Sequence, residues 1–197
     1  MKIELLDYTE DAEYKIGLMA AECYDSNKER EACLRRAKAC KDSGHLATLR
    51  FAYATFRVSD ISRVCSHQLV RHAHLSYLQR SQRYVKEEGI VYCDPASVNT
   101  LPQNLEAWWK TLQDSSEELY LRLVNDKIMK KEDARFILPQ GCSTSLTVTG
   151  NFQAWLDFIN LRADKHAQAE IRNVAIEIRR QLNSIAPNVF EIPEPHV

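Results

Sequence analysis

The stretch from His67 to Tyr84 reads H-Q-L-V-R-H-A-H-L-S-Y-L-Q-R-S-Q-R-Y, and the rest of the chain is organised around it. Its residues include three arginines, three histidines and three glutamines, but no carboxylate. A surface segment in a chain with 27 acidic residues would ordinarily mix its signs. Because planar arginine groups suit phosphate and carboxylate oxygens, donors without a neighbouring acid indicate a ligand that supplies the counter-charge. An incidental polar surface loop is the alternative.

The composition limits what such an anion site can serve. The chain has 197 residues and a formal net charge of −1, so no global basic field favours nucleic acid. No apolar run approaches the roughly 20 residues that cross a bilayer, and the N-terminus resembles neither a signal peptide nor an anchor. Six scattered cysteines without a C-x-x-C pair are typical of reduced thiols. We therefore expect a soluble cytoplasmic protein, folded as a single domain over residues 1–197, with no nucleic acid or membrane partner.

Three common chemistries find little support in the residues. The five glycines form no G-x-G-x-x-G or P-loop, so side chains would have to hold the phosphates of any nucleotide. Ser81 and Cys142 lie in no G-x-S-x-G elbow and beside no identifiable base, which argues against nucleophilic catalysis. The spacing of the metal candidates matches no common zinc pattern, so we expect no metal. Those candidates are Cys65, His67, His72 and His74.

Hydrophobic patterning predicts a mixture of helices and strands. Leu49 to Val58 is predicted as a strand, and Ser59-Asp60 is predicted to cap a helix that reaches His72. Ala73 to Arg83 reads as a loop, and Asp164 to Ile185 as the last long helix. Two polar sets would each share a helix face. One set is Gln68, Arg71 and His72, and the other set is Arg162, His166 and Glu170. The other set is equally consistent with a solvated helix face.

Several separated motifs resemble the flavin-dependent thymidylate synthases. Arg71 to Ser81, within R-H-A-H-L-S-Y-L-Q-R-S-Q-R-Y, is similar to the R-H-R, seven residues, then S pattern of that family. The likeness continues in A-R-F-I-L-P at 134–139, V-T-G-N at 148–151 and N-L-R-A-D-K-H-A-Q-A-E-I-R at 160–172. The resemblance implies an α+β fold of the thymidylate synthase-complementing type, with a central antiparallel sheet and flanking long helices. It also implies a homotetramer whose active sites lie where subunits meet.

The implied reaction is the reductive methylation of dUMP to dTMP, an FAD-dependent methyl transfer. Methylenetetrahydrofolate would donate the methylene group, and NADPH would reduce the FAD. By position, the residues that resemble the dUMP-binding set are Gln68, Arg71, Ser81, Gln82, Arg83 and Arg172. Those that resemble flavin contacts are Arg71, His72, Gln79, Asn160, Arg162 and His166. Arg172 and His45 resemble the family residues that act in catalysis. Arg172 resembles the arginine that favours ionisation of the uracil ring.

The chain departs from the family pattern at three places. Ala73 stands where the pattern has its second arginine, and Ser145 stands where the family has another arginine. The segment Gly44–Phe51 keeps the Gly-His of a G-H-x-S-x-x-E-H pattern but has Ala47, Arg50 and Phe51 at the other positions. Three hypotheses follow: a working thymidylate synthase, a divergent member that uses another pyrimidine nucleotide or hydroxymethylates it, and a non-catalytic nucleotide-binding paralogue.

Overall fold

The described residues form seven α-helices and four β-strands. The structure is a computed structural model, and it describes residues 1–23 and 25–192. The strands are β1 (Lys2–Tyr8), β2 (Tyr53–Ser62), β3 (Ser76–Gln79) and β4 (Ser143–Asn151). The helices are α1 (Ala12–Glu22), α2 (Arg30–Asp42), α3 (Arg63–Leu69), α4 (Gln103–Asn125), α5 (Lys131–Ala134), α6 (Phe152–Arg162) and α7 (Ala169–Ile185). Short 3-10 helices cover Leu46–Phe51, Ala96–Thr100 and Arg135–Ile137.

The four strands form one antiparallel sheet in the order β1-β2-β4-β3. The amide of Thr9, just after β1, donates to the carbonyl of Tyr53 at the start of β2 at 3.0 Å. The amide of Phe152, just after β4, donates to the carbonyl of Ala52 at 2.9 Å. Both bonds join the end of one strand to the start of another, as antiparallel pairing requires. The predicted α+β class with a central antiparallel sheet and long helices is confirmed.

The chain divides into two compact units that are interleaved in sequence. One contains Met1–Lys2, Ser59–Leu69 and Leu78–Leu146, and we call it the α4 unit. The other contains Ile3–Val58, Val70–Tyr77 and the chain from Thr147 onward, and we call it the α7 unit. None of the helices in the described residues combines the length and apolar character required to cross a bilayer.

Aromatic side chains and α7 build the core of the α7 unit. The Trp155 ring meets Phe56 edge-on, with centroids 5.1 Å apart, and its Nε1 donates to the carbonyl of Ala54 at 3.0 Å. That bond satisfies the one polar atom of a fully buried indole. The buried residues of α7 recur at helical spacing, which turns one face of the helix inward. They are Ile171, Val174, Ala175, Ile178 and Leu182.

In the α4 unit, the long helix α4 buries little and exposes an apolar stripe. The buried Tyr120 accepts a 3.1 Å hydrogen bond at its hydroxyl from the amide of Glu87. Four exposed apolar residues of the helix fall three, four and seven positions apart, so they lie along one side. Those four residues are Leu105, Trp108, Leu112 and Leu119, and Trp109, next to them on the helix, is exposed as well. We call the four residues the α4 stripe, and patches of this kind mark contact surfaces.

The predicted boundary between β2 and α3 is wrong, because the strand ends at Ser62, four residues after Val58, and the helix begins at Arg63. The strand continues to Ser62, because Asp60 adopts a positive φ of 55° that lets the strand bulge instead of ending. Ser62, not Ser59 or Asp60, caps α3, since its hydroxyl accepts from the amide of Cys65 at 3.0 Å. The helix ends at Leu69, so Gln68 lies on it while Arg71 and His72 lie beyond it. These three residues therefore do not share one helix face.

Two further predictions of secondary structure are corrected. Ser76–Gln79 forms β3 within the segment predicted as a loop. The last helix begins at Ala169 and not at Asp164, because the Asp164 carboxylate accepts the backbone amide of His166 at 2.8 Å and closes a local turn. His166 consequently lies in the connection between α6 and α7. The predicted helical stripe of Arg162, His166 and Glu170 does not exist.

Candidate active-site residues

In the α4 unit, a tight turn after β3 carries three of the predicted dUMP-binding residues. The hydroxyl of Ser81 accepts the backbone amide of Arg83 at 3.2 Å, which fixes the turn locally. Gln82 lies between them with 5% of its surface exposed, and its buried Nε2 has no hydrogen-bond partner within the described residues. Burying an amide donor without a partner is costly. The turn therefore presents a donor that suits an oxygen-bearing ligand.

Both arginines after β3 already contact carboxylates of the same unit. Nε of Arg83 donates to Oε2 of Glu132 at 2.6 Å, and its guanidinium lies 5.4 Å from the centroid of the Tyr84 ring. The Arg80 guanidinium pairs with Glu87, which is buried. The expectation that this arginine-rich stretch has no internal counter-charge is therefore wrong for Arg80 and Arg83. The acids come from later segments of the chain, which the local composition does not reveal.

Gln68 and Gln79 are both held at half-buried positions in the α4 unit. Gln68 lies near the end of α3. The Nε2 of Gln79 donates to Ser66 Oγ at 3.1 Å and to Thr144 Oγ1 at 3.2 Å. The Gln79 amide nitrogen is thus engaged by hydroxyls of the protein, and its carbonyl oxygen is the atom that a ligand could use.

In the α7 unit, the structure brings together two residues predicted to contact the flavin. Nε of Arg162, at the end of α6, donates to Nε2 of His72 at 3.0 Å. The His72 ring also meets Phe158 edge-on, with centroids 4.9 Å apart. Burial, and then the charge of Arg162, lower the pKa of His72 below its ordinary value. Since Nε2 accepts a hydrogen bond, the neutral ring carries its proton on Nδ1.

The other predicted residues of the α7 unit lie at or near its surface. Nη1 of Arg172, in the first turn of α7, donates to the carbonyl of Lys165 at 2.8 Å and so braces the connection from α6. His166 in that connection is exposed and contacts Asp164, with 2.7 Å between Nδ1 and Oδ1. The amide and ring of His166 hold the pKa of Asp164 below its ordinary value. Arg71, His45 and Asn160 are exposed.

The positions that depart from the family pattern lie in different surroundings. Ala73 is exposed, in the same turn as His72. The backbone carbonyl of Ser145 accepts from the amide of Arg80 at 2.9 Å, but the Arg80 guanidinium is already paired with Glu87. Arg50, in the altered Gly44–Phe51 segment, donates to Oε1 of Gln153 at 2.7 Å. The three departures therefore remain differences in the charge available to a ligand.

Cys142, the thiol considered as a nucleophile, is buried. Burial raises the pKa of Cys142 to about 11, so its thiol is protonated near neutral pH and is a poor nucleophile. Within the described part of the chain, no group of three or more histidine, cysteine or acidic side chains is placed to hold a metal ion.

Sequence reasoning missed Glu132, Glu87 and Phe158. Glu132 contacts Arg83 across 49 positions of sequence, and no local pattern links them. Phe158 could have been suggested by its position four residues before Arg162 on a predicted helix, since such residues share a face. Glu87, seven residues after Arg80, lies three positions beyond Tyr84, where the arginine-rich stretch ends.

Known proteins similar to this chain agree with the resemblance. The family described as thymidylate synthase complementing protein matches residues 4–188. A flavin-dependent thymidylate synthase of Mycolicibacterium gilvum is 39% identical over 163 residues, which cover 76% of this chain and 65% of the relative. One of Mycobacteroides abscessus is 39% identical over 161 residues, covering 75% of this chain and 64% of the relative. One of Geobacter sulfurreducens is 37% identical over 207 positions, covering 99% of this chain and 88% of the relative.

The aligned part of the chain spans just under two thirds of the length of the two mycobacterial proteins and most of the Geobacter protein. The family match covers both compact units and contains every residue singled out above as a candidate for ligand contact or catalysis. The chain belongs to the thymidylate synthase complementing protein family, together with these flavin-dependent thymidylate synthases.

Proposed function

We propose that this protein converts dUMP to dTMP by reductive methylation, with methylenetetrahydrofolate, FAD and NADPH. Family membership and the names of the relatives support thymidylate synthesis with a flavin. Over the reaction, a methyl group replaces the hydrogen at C5 of dUMP, and that hydrogen leaves as a proton. The folate gives up its methylene and its two nitrogens take up protons, while NADPH supplies the hydride that completes the methyl group. Bound FAD would carry that hydride. The match over residues 4–188 supports one functional domain across 1–197. A cytoplasmic location stays a prediction.

The observation that carries this proposal is the turn from Ser81 to Arg83. It combines a hydroxyl, a guanidinium and the buried, unpartnered Nε2 of Gln82. Hydroxyl, amide and guanidinium donors together suit a phosphate next to a polar ring. We assign phosphate binding to Ser81, Arg83 and Gln68, and pyrimidine contact to Arg71. Gln82 would donate to an oxygen of the same nucleotide.

Arg172 and His45 are the residues that we assign to the chemistry. A guanidinium beside the uracil edge stabilises negative charge that develops when N3 ionises, and this makes C5 a better nucleophile. No thiol takes part in this scheme, in keeping with the raised pKa of Cys142. His45 is exposed at the start of a 3-10 helix and is assigned by family position alone.

The flavin contacts are assigned mainly to the α7 unit. His72 and Arg162 form a neutral imidazole and guanidinium pair, which can donate to flavin oxygens through the remaining N–H groups. Asn160, His166 and Arg71 are exposed donors available to the same kind of ligand. Gln79 would contribute its carbonyl oxygen, since its amide is engaged by Ser66 and Thr144.

We also propose a homotetramer. The α4 stripe supports it, because Trp108 and Leu112 are 70% and 66% exposed on one side of a long helix. Such surfaces are ordinarily covered by another chain in soluble proteins.

A second substrate is a specific alternative. Ser145 lacks the charge that the family places there, and Arg80 cannot supply it while paired with Glu87. A nucleotide whose negative charge needs fewer cations to balance it, or a nucleotide with a different pyrimidine, would fit the missing arginine charge at Ser145.

Tritium release from C5-labelled dUMP, measured with FAD, NADPH and methylenetetrahydrofolate, tests the proposal. We expect release with dUMP in the wild type and in Arg180→Ala, which removes an exposed arginine of α7 that pairs with Glu177. Release from another pyrimidine nucleotide but not from dUMP would favour the second substrate. A protein that binds no flavin and releases no tritium from any pyrimidine nucleotide would be a non-catalytic paralogue.

A further inference from the structure

A cavity of about 720 Å³ lies in the α4 unit beside the C-terminal end of α4. Four cations and one carboxylate line it: Arg83, Lys127, Lys130, Lys131 and Glu132. We call it the basic cavity. This excess of cations contrasts with the net charge of −1 of the whole chain, so positive charge is concentrated locally.

Among the described residues, two of the four cationic side chains have hydrogen-bond partners, and the other two have none. Arg83 donates to Glu132, and the Nζ of Lys131 donates to the carbonyl of Tyr84 at 2.6 Å. The ammonium groups of Lys127 and Lys130 form no hydrogen bond or ion pair with the described residues. The basic cavity therefore contains two ammonium groups whose charge only solvent or a ligand would balance.

Lys127 occupies a backbone position that ordinarily favours glycine. Its φ is 56°, in the left-handed region, directly after the C-terminal cap of α4. The amide of Lys127 donates to the carbonyl of Val124 at 3.2 Å, and the amide of Ile128 donates to the carbonyl of Leu123 at 3.0 Å. This pair of bonds is the Schellman motif, in which glycine is the common residue at the position of Lys127. A lysine at this left-handed position therefore has a steric cost that a glycine would not have.

The remaining surface of the basic cavity is apolar and exposed. Ile128 is 66% exposed, and the Tyr84 ring lies under the Arg83 guanidinium. A ligand that combines several anionic groups with hydrocarbon or ring surface would satisfy both features, whereas a single small anion would reach only one or two cations.

From these observations we propose that the basic cavity binds an oligoanion, with Lys127 and Lys130 as its principal contacts. Two sources share this chemistry: a chain of linked glutamates on a folate, and the oligophosphate of a nucleotide. The glutamate source rests on the proposed use of a folate, and the phosphate source does not. Arg83 lines the basic cavity and is also assigned to the dUMP phosphate, whereas Lys127 and Lys130 have no part in the proposed reaction. The effects of Lys127 and Lys130 variants on oligoanion binding therefore distinguish failure of this proposal from failure of the proposed reaction.

Calorimetric titration of the full chain with three probes tests the proposal: penta-γ-glutamate, tripolyphosphate and inorganic phosphate. We expect at least one of the two oligoanions to bind about tenfold more tightly than inorganic phosphate, and the binding to weaken as salt is raised. Tight binding of penta-γ-glutamate alone would identify the glutamate source, and of tripolyphosphate alone the phosphate source. Equal affinity for all three probes, or no binding, would overturn the proposal.

The deciding variant is Lys127→Gly, because glycine suits the left-handed position and should preserve or raise the melting temperature. We expect Lys127→Gly and Lys130→Gln each to weaken oligoanion binding about fivefold. Lys15→Gln, which removes an exposed lysine of α1, should leave the affinity unchanged. Wild-type affinity in the double variant Lys127→Gly, Lys130→Gln would also overturn the proposal.

Discussion

Nε of Arg83 donates to Oε2 of Glu132 at 2.6 Å, so the arginine assigned to the nucleotide phosphate already contacts a carboxylate of its own chain. The Arg83 side chain is 58% exposed and that of Glu132 is 33% exposed, so water screens the pair. A phosphate that binds Arg83 has to displace or share this carboxylate. Glu132 is therefore expected to weaken nucleotide binding.

Glu132→Gln should tighten the binding of dUMP, by up to about fivefold, since an exposed pair is worth at most about 1 kcal/mol. Titration calorimetry at fixed ionic strength measures the change. Glu118→Gln is the matched control, because Glu118 forms an exposed ion pair with Arg122 on α4 at 3.5 Å. Weaker dUMP binding in Glu132→Gln than in the control would show that Glu132 orients Arg83 and does not compete with the phosphate.

The pair of His72 and Arg162 predicts a pH dependence of stability. The pKa of His72 is lowered from 6.5 in the folded protein, so the unfolded chain takes up a proton first as the pH falls. This contribution to stability is fully present above about pH 6.5 and is lost as the pH falls toward the folded-state pKa. We expect the melting temperature of the wild type to fall more on acidification than that of His72→Gln.

His74→Gln is the control for the His72 experiment, because it removes an exposed histidine from the same turn. Scanning calorimetry between about pH 7.5 and 5.5 covers the window set by the ordinary histidine pKa. If His72→Gln and the wild type lose stability in parallel, the histidine is not held neutral by burial and Arg162.

Close contact between α1 and α2 predicts a position at which only glycine fits. A Cβ added to Gly17 would lie 1.9 Å from the backbone oxygen of Cys33. Gly17→Ala should therefore lower the free energy of unfolding by about 1–3 kcal/mol, as overpacking does. Gly141→Ala is the control, since its nearest neighbour would be 3.9 Å away on Tyr92. Equal unfolding midpoints in denaturant for the two variants would contradict this account of the helix packing.

The α4 stripe predicts that assembly depends on Trp108. Trp108→Glu places a charge in the middle of the stripe, where a covering chain would have to bury it. We expect light scattering to show a smaller assembly for Trp108→Glu than for the wild type. Lys110→Gln, elsewhere on the same helix, should assemble as the wild type does. A wild type that is already a monomer would contradict the proposed tetramer.

Long periodic elements were predictable from the sequence, and short or bulged ones were not. The strand predicted over Leu49 to Val58 overlaps β2, and the last helix predicted over Asp164 to Ile185 overlaps α7. β3 has four residues and too short a pattern to recognise. The extension of β2 depends on the positive φ of Asp60, and the late start of α7 depends on the Asp164 side chain. Both are local backbone conformations that hydrophobic periodicity does not predict.

The candidate site shows the same division. Arg83, His72 and Arg162 were proposed as ligand contacts from the resemblance to the family, which depends on residues that are close together in sequence. Their protein partners were not visible, since Glu132 is 49 positions from Arg83 and His72 is 90 positions from Arg162. Long-range pairs of this kind are set by the fold. They determine which of the donors a ligand finds already engaged.

The most direct test of the proposed reaction is the formation of dTMP from dUMP by the purified protein with FAD, NADPH and methylenetetrahydrofolate. We predict dTMP from the wild type and from Arg180→Ala. We predict no dTMP from Arg172→Ala at an unchanged assembly size, because the cation assigned to the uracil edge is lost. No dTMP from the wild type under conditions in which it binds FAD, or wild-type turnover by Arg172→Ala, would contradict the account.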